Sequence, residues 1–280
     1  MVKNSSPGLL VGAFDLHIHS SPDVVARKLT DIALAKAARA AGLAGILIKC
    51  HHSPTTARAA LASEAVPGIL VFGGLVLNRQ AGGLNQAAVA AELALGAKEI
   101  WLPTLSAANH IRLKGGDPAQ AVPVFAEDGR LRPELPPIFE MIAKSGAILG
   151  TGHLSPAETE AVVVAAQDCG VAKILVTHPE FEVTAMPLEQ QKRLAARGVF
   201  FERCFFASNA EQRLPPAELA RQIKTVGVET TILASDFGQA DNDPPPEGFR
   251  RLLTHMQQSG FTAADLDIMT RQNPRRLLGI

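Results

Sequence analysis

The sequence predicts an α/β chain folded as one closed (β/α)8 barrel, and three observations carry that prediction. Eight short apolar runs alternate with helical stretches along almost the whole chain. Runs of that kind read as strands buried on both faces, the habit of a parallel sheet covered by helices. The length of 280 residues suits a barrel, a fold that holds about 250 residues in one domain. The residues richest in chemistry stand at the C-terminal ends of the runs, which a barrel gathers at one mouth. An open doubly wound sheet would need a phosphate-binding glycine loop after the first strand, and none follows it.

The first strand ends in Asp15-Leu16-His17-Ile18-His19. Residues i and i+2 of a strand share a face, so His17 and His19 point the same way, with Asp15 behind them. Alone, this reads equally as two hydrogen-bonded histidines in a polar loop. Thr30 and Asp31 cap an alanine-rich helix over 32–41 that stops at Gly42. The second strand, 44–48, runs into Lys49-Cys50-His51-His52, and a helix starting within 53–56 continues to about 63. The third strand spans 68–76 and leads through Asn78 and a Gly82-Gly83 loop to a helix over 86–95. The fourth strand covers 99–104.

The alternation then breaks. Residues 105–137 show no long helical period, although 121–125 and 131–132 flank a hairpin turn at 127–130. An insertion of this length is expected to be a lid over a site; a surface excursion without a role is the alternative. The pattern resumes with a helix over 138–144 and a fifth strand over 147–153 ending in His153. A helix capped by Ser155 spans 156–168. The sixth strand, 173–178, ends in His178; a helix covers 188–197. The seventh, 199–204, ends in Glu202, Arg203 and Cys204, with a helix over 216–226. The eighth, 230–236, ends in Asp236, and helices at 246–259 and 263–270 with a turn at 274–278 close the chain. No linker, low-complexity tract or repeat interrupts it, so 1–280 reads as a single domain with its insertion after strand four.

Composition narrows the partners. Lys plus Arg and Asp plus Glu stand at 27 each, giving zero net charge, and aromatics are 5%. That argues against nucleic acid, an anionic membrane or a base-stacking surface. Three spaced cysteines without a C-x-x-C motif fit a reducing compartment. Residues 1–7 have no apolar leader segment, and no run approaches the roughly 18 apolar residues of a membrane span. The expectation is a soluble cytoplasmic protein acting on a small molecule, with a homo-oligomer left open.

His17, His19, His153, His178 and Asp236 are all ordinary ligands of a borderline or hard divalent cation. The chain has eight histidines, so their coincidence at strand ends points to a metal site. In this order on these strands, the residues resemble the amidohydrolase superfamily of metal-dependent hydrolases. The ending Gln272-Asn273-Pro274-Arg275-Arg276-Leu277-Leu278-Gly279 is similar to the N-P-x-x-L-L-G tail common there. The resemblance covers nearly the whole chain and implies one or two divalent ions, with Zn expected and Mn or Fe as alternatives. It implies His17, His19 and Asp236 as ligands in every variant, and His153 and His178 in binuclear ones. One departure stands out: binuclear members usually take a bridging carboxylated lysine or a glutamate from strand four, and neither is in place at that strand's end. Lys49 on strand two is the nearest substitute if carbamylated; it could equally hold a substrate carboxylate, or snorkel to the surface.

The implied chemistry is hydrolysis of a C–N or C–O bond in a small amide, lactone, cyclic imide or ester. Asp236 would be the proton acceptor, and His178 a ligand or an oxyanion donor. Candidate substrate-binding residues are His51, Glu202, Asn109 and His110, and His51 and Glu202 are also candidates for a second ion. Arg112 and Lys114 could meet an anionic substrate or simply be solvated. Rival readings are a non-oxidative decarboxylase, a phosphoesterase of the polymerase-and-histidinol-phosphatase type, and a non-catalytic metal-binding barrel. An intact Asp236 argues against the last.

Overall fold

Parallel strands line the inside of the molecule and helices cover them. The structure, a computed structural model, describes residues 8–205 and 214–280; residues 1–7, where an apolar leader was sought, lie outside the described residues. Strands β1 (Phe14–Ile18), β2 (Gly45–Ile48) and β3 (Leu70–Phe72) form one parallel sheet. A second holds β4 (Gly74–Val76), β5 (Glu99–Trp101), β6 (Ile148–Gly150), β7 (Ile174–Thr177), β8 (Phe200–Cys204) and β9 (Thr231–Ala234), in that order and all parallel. Beyond β9 the chain meets β1 in a parallel bridge between Ile18 and Phe237. There the His19 N–H donates to the Phe237 carbonyl at 2.8 Å, and the Asp236 N–H to the His17 carbonyl at 2.9 Å. The architecture is the expected (β/α)8 barrel.

The third strand departs from expectation, because β3 and β4 are two pieces parted at Gly73. A side chain at Gly73 would put its Cβ 2.4 Å from the Thr55 carbonyl oxygen. The Thr55 hydroxyl donates to the Ile48 carbonyl and accepts from the Gly74 N–H, at 2.7 and 2.9 Å. Thr55 therefore stitches the two sheets together and does not cap the following helix.

The outer layer is α1 (Asp31–Ala40), α2 (Thr56–Ala65), α3 (Gln86–Ala94), α4 (Ala108–Leu113), α5 (Leu135–Ser145), α6 (Pro156–Asp168), α7 (Leu188–Ala196), α8 (Pro216–Val226) and α9 (Pro245–Gln258). Local chemistry sets their starts: Thr30 caps α1 through the Ala33 N–H, and Ser155 with Glu158 forms a capping box on α6. Apolar faces of α1, α8 and α9 share one core cluster with β1, β2 and β9, burying Leu34, Ile223, Phe249 and Leu252 among Ile18, Ile46 and Leu233. The other half packs likewise around Phe139, Ile142, Val163 and Phe201. The expected helix over 263–270 is shorter: α10 (Ala263–Asp267) passes through a π-helical turn, Ile268–Gln272, into α11 (Asn273–Leu278). Leu277 and Leu278 of α11 join the barrel's inner core with Phe14, Leu47, Trp101 and Phe200.

The insertion also carries more structure than its sequence suggests, namely α4 and a 3-10 turn at Pro118–Gln120. The expected hairpin reduces to one antiparallel bridge, Phe125 with Leu131. No helix among the described residues is long and apolar enough to cross a membrane.

Candidate metal centre and active site

A cavity of about 220 Å³ opens at the C-terminal ends of the strands, floored by His17, His19, His51, His153, His178 and Asp236. β1 delivers the first pair with an irregularity. Its pairing with β2 shifts register between Asp15 and Ile18. Phe14 and Leu16 join the inner core, while His17 and His19 face the mouth. Asp15 does not stand behind them as expected; its Oδ1 accepts from the N–H groups of Ser235 and His17, at 3.0 and 3.3 Å.

Each of the two imidazoles is oriented through Nδ1. His17 Nδ1–H donates to Glu202 Oε2 at 2.7 Å, and His19 Nδ1–H to the Lys49 carbonyl at 2.9 Å. Their Nε2 atoms are left to converge on Asp236 Oδ1, each at 3.1 Å. The His17 Nε2 contact lacks hydrogen-bond geometry, so that buried nitrogen is unpartnered among the described residues. His17, His19 and Asp236 each offer a ligand atom within 4.8 Å of the other two. His19 Nε2 is hydrogen-bonded to Asp236 Oδ1; imidazoles tied by Nδ1 to a carboxylate or carbonyl, with Nε2 turned to a common point, are the usual dress of histidine metal ligands.

The electrostatics agree. Burial opposes charge on His17, yet the Asp236 and Glu202 carboxylates outweigh it and hold its proton up to about 9. Burial would also raise Asp236, but the adjoining His17 and His19 keep it well below the ordinary carboxylate range. Burial holds His19 down at about 4 and His51, His153 and His178 well below their usual value. A buried place lined by neutral imidazoles and an ionised carboxylate, which keeps one proton tightly between them, is a place that wants positive charge. The donor set fits a divalent cation of the Zn, Mn or Fe kind.

The remaining candidates fall into distinct places. His178 and Asp236 both have positive φ, 27° and 53°, a conformation that non-glycine residues adopt rarely. The His178 ring stacks on Phe181, centroids 3.9 Å apart, and its buried Nδ1 has no partner among the described residues. His153 shares a hydrogen bond with His110, Nδ1 to Nδ1 at 2.8 Å. His51 bonds the Thr104 hydroxyl at 2.8 Å.

Two candidates are corrected. Asn109 does not line the cavity: its amide donates to the carbonyls of His153 and Val183 at 3.1 and 2.6 Å, pinning the insertion to the barrel rim. Glu202 is fully buried and does not line the cavity; it bonds His17 and, with His17 and Cys204, forms a second group whose ligand atoms lie within 4.8 Å of one another. Lys49 is fully buried and also fails to line the cavity. Its Nζ lies 5.4 Å over the Trp101 ring and is unpartnered among the described residues. Arg112 is spent on Asn109 Oδ1 at 2.9 Å, and Lys114 on Glu182 at 2.6 Å.

Sequence reading missed four residues. Asn78 organises the wall: its amide donates to Thr104 Oγ1 and the His51 carbonyl, and its oxygen accepts from the Thr104 and Ser106 N–H groups. Its place just past the third strand was the available signal. Glu99 is a buried carboxyl at the start of β5, held well above its usual pKa by burial and by Glu202. Gly150 makes room for it, since a Cβ there would approach its Oε1 to 2.5 Å. Arg27 and Gln239 line the cavity from loops, and only the i,i+4 spacing of Asp23 and Arg27 hinted at the first.

The chain shares its fold with solved barrels of several enzymes. Among solved structures, the chain is similar to an amidohydrolase from Pseudomonas aeruginosa (TM-score 0.63, 14% identity, 98% of each chain covered). It is also similar to 2,6-dihydroxybenzoate decarboxylase from Rhizobium (TM-score 0.57, 14% identity, 96% of this chain and 99% of that one). A third is the phosphotriesterase homology protein from Escherichia coli, which holds phosphate in its active site (TM-score 0.58, 13% identity, 96% and 99%). By sequence, the chain belongs to the family DUF6282, described as a family of unknown function, which matches residues 12–202. That match takes in His17, His19, His153, His178 and Glu202 and stops short of Asp236. No curated protein matches the chain.

Proposed function

We propose that this protein is a metal-dependent hydrolase of a C–N or C–O bond in a small molecule such as an amide, lactone, cyclic imide or ester. The observation that carries the reading is the convergence of His17 Nε2, His19 Nε2 and Asp236 Oδ1, with both Nδ1 atoms already committed elsewhere. These three residues would hold the ion, with His153 and His178 across the cavity available to a second. When bound, a divalent cation supplies Lewis acidity and lowers the pKa of a coordinated water toward about 7. Asp236, kept ionised by its histidine neighbours, accepts the proton of the attacking water and returns it to the leaving group. Where a single ion is bound, His178, fixed by Phe181 and with its backbone carbonyl bonded to the Thr184 hydroxyl, would instead serve as an oxyanion donor. The insertion, pinned by Asn109, narrows the mouth and excludes bulk water. The free cysteines support a reducing compartment such as the cytosol.

The test is elemental analysis of protein purified without chelator, joined to hydrolysis of an ester, lactone and amide panel by wild type and Asp236→Asn. Bound Zn, Mn or Fe near one or two per chain, with turnover lost in Asp236→Asn, is the expected result. Metal without hydrolysis but with CO2 release from aromatic acids would replace this reading by a decarboxylase. Neither metal nor turnover after Zn, Mn and Fe addition would overturn it.

A further inference from the structure

We infer that the substrate carries a carboxylate and that Arg27 is the residue that receives it; this names the substrate class of the hydrolase site proposed above and rests on that reading. Arg27 lies in the loop between β1 and α1, and the loop is not loose. Ser21 bridges to Thr30, Arg27 forms an antiparallel bridge with Gln239, and the Lys28 N–H donates to the Gly238 carbonyl at 2.9 Å. The side chain is folded inward, 6% exposed, onto the cavity wall.

The guanidinium is held by one edge. Its Nε donates to Asp23 Oδ2 at 2.7 Å, and Asp23 Oδ1 accepts from His52 Nδ1 at 2.9 Å and from the Val24 N–H at 2.7 Å. Asp23 is thereby fixed from three directions and fixes Arg27 in turn. Neither Nη nitrogen has a protein acceptor among the described residues. What the cavity receives is a planar two-donor fork, already oriented, of the shape that matches a carboxylate.

Charge makes the assignment specific. Of the two permanent cations on the cavity wall, Lys114 is neutralised by Glu182, which lines the same cavity, at 2.6 Å. The partner of Arg27, Asp23, does not line the cavity. Arg27 is thus paired along its Nε edge by a carboxylate outside the cavity, and its Nη edge has no bonded carboxylate among the described residues. The seat is coupled to the proton acceptor through the backbone: Gln239, bridged to Arg27, donates from Nε2 to the Asp236 carbonyl at 2.9 Å. At about 220 Å³ the cavity has room for a small organic acid.

The test uses the protein as purified, with its metal content measured on every preparation. Binding of benzoate, glutarate, benzamide and inorganic phosphate is followed by calorimetry in wild type, Arg27→Met and Arg27→Lys. Wild type should prefer benzoate and glutarate to benzamide by at least tenfold, and Arg27→Met should erase that preference at unchanged metal content. Arg27→Lys keeps a cation beside Asp23 and so guards against misfolding; it should lose a large part of the preference because it lacks the fork. Equal carboxylate affinity in all three proteins would overturn the inference, since the acid would then sit on the metal or elsewhere. Phosphate binding more tightly than either acid, in an Arg27-dependent way, would overturn the assignment to carboxylates. Absence of hydrolysis alongside Arg27-dependent benzoate binding supports the anion seat and removes the hydrolase; hydrolysis with Arg27-independent binding does the reverse.

Discussion

Replacing Asp15 by asparagine in metal-free protein should stabilise the fold at alkaline pH and do little in acid. Asp15 is fully buried, and only one of its oxygens is served, by the N–H groups of Ser235 and His17; Oδ2 has no partner among the described residues. Burial raises its pKa from 3.8 to about 7 against the opposing pull of Ser235, the His17 N–H and the His17 charge. The native chain therefore binds a proton that the unfolded chain has already released between those two values. Stability falls as pH rises across that window and levels off above it. At about 1.4 kcal/mol per unit, the penalty reaches an upper limit of about 4 kcal/mol, of which about 2.5 develops between about pH 5 and about pH 8. The asparagine side chain would keep the accepting oxygen and carry no charge. The assay is urea unfolding of chelator-treated wild type and Asp15→Asn across that range, read as the difference between them so that groups titrating alike in both cancel. The variant's advantage should grow with pH by about that 2.5 kcal/mol. A difference that stays constant from acid to alkali would refute the assignment of the burden to Asp15.

Glu202→Gln should lower metal affinity by about 10- to 100-fold, because the charge that orients and enriches His17 through Nδ1 is lost while the hydrogen bond can persist. Competition with a chromophoric chelator measures this, and an unaltered affinity would show that His17 needs no such support. Arg203→Leu should cost about 3–5 kcal/mol in denaturant unfolding, since it strands the buried Glu180 that Arg203 pairs with beside Gln191. Adding Glu180→Leu should recover most of that loss; a double variant no better than the single would mean that packing, not the stranded charge, carries the cost.

The barrel was legible because parallel strands buried on both faces leave continuous apolar runs, and because strand ends such as Ile48-Lys49 or Val176-Thr177-His178 switch abruptly to polar residues. The His17, His19 and Asp236 grouping was legible for the same reason: a barrel brings strand ends together whatever their separation in sequence. Other features depend on packing that no local pattern records. Gly73 breaks the third strand because Thr55 approaches it from another element. The phase of Asp15 changes because β1 shifts register against β2. Glu99 opens its strand and does not end it, so a search of strand ends passes it by, though i,i+2 spacing with Trp101 puts both inside the barrel. Arg27 sits eight residues beyond His19 in a loop, and contacts distant in sequence, the bridge to Gln239 and the Lys28 bond to Gly238, fold that loop over the cavity. Asn109 looked like a site residue because it neighbours His110, yet the two point to different tasks.

The join between β1 and the chain beyond β9 also sets a timetable. His19 and the carboxylate it contacts, Asp236, lie 217 positions apart, and Asp15 and Ser235 lie 220 apart. A chain emerging from the ribosome exposes both imidazoles of β1 long before the residue that completes the set. Until Asp236 is released, the two β1 imidazoles lack the carboxylate on which their Nε2 atoms converge. The grouping of His17, His19 and Asp236 is thereby completed only as the barrel closes, and any chain cut short before Asp236 goes without its carboxylate.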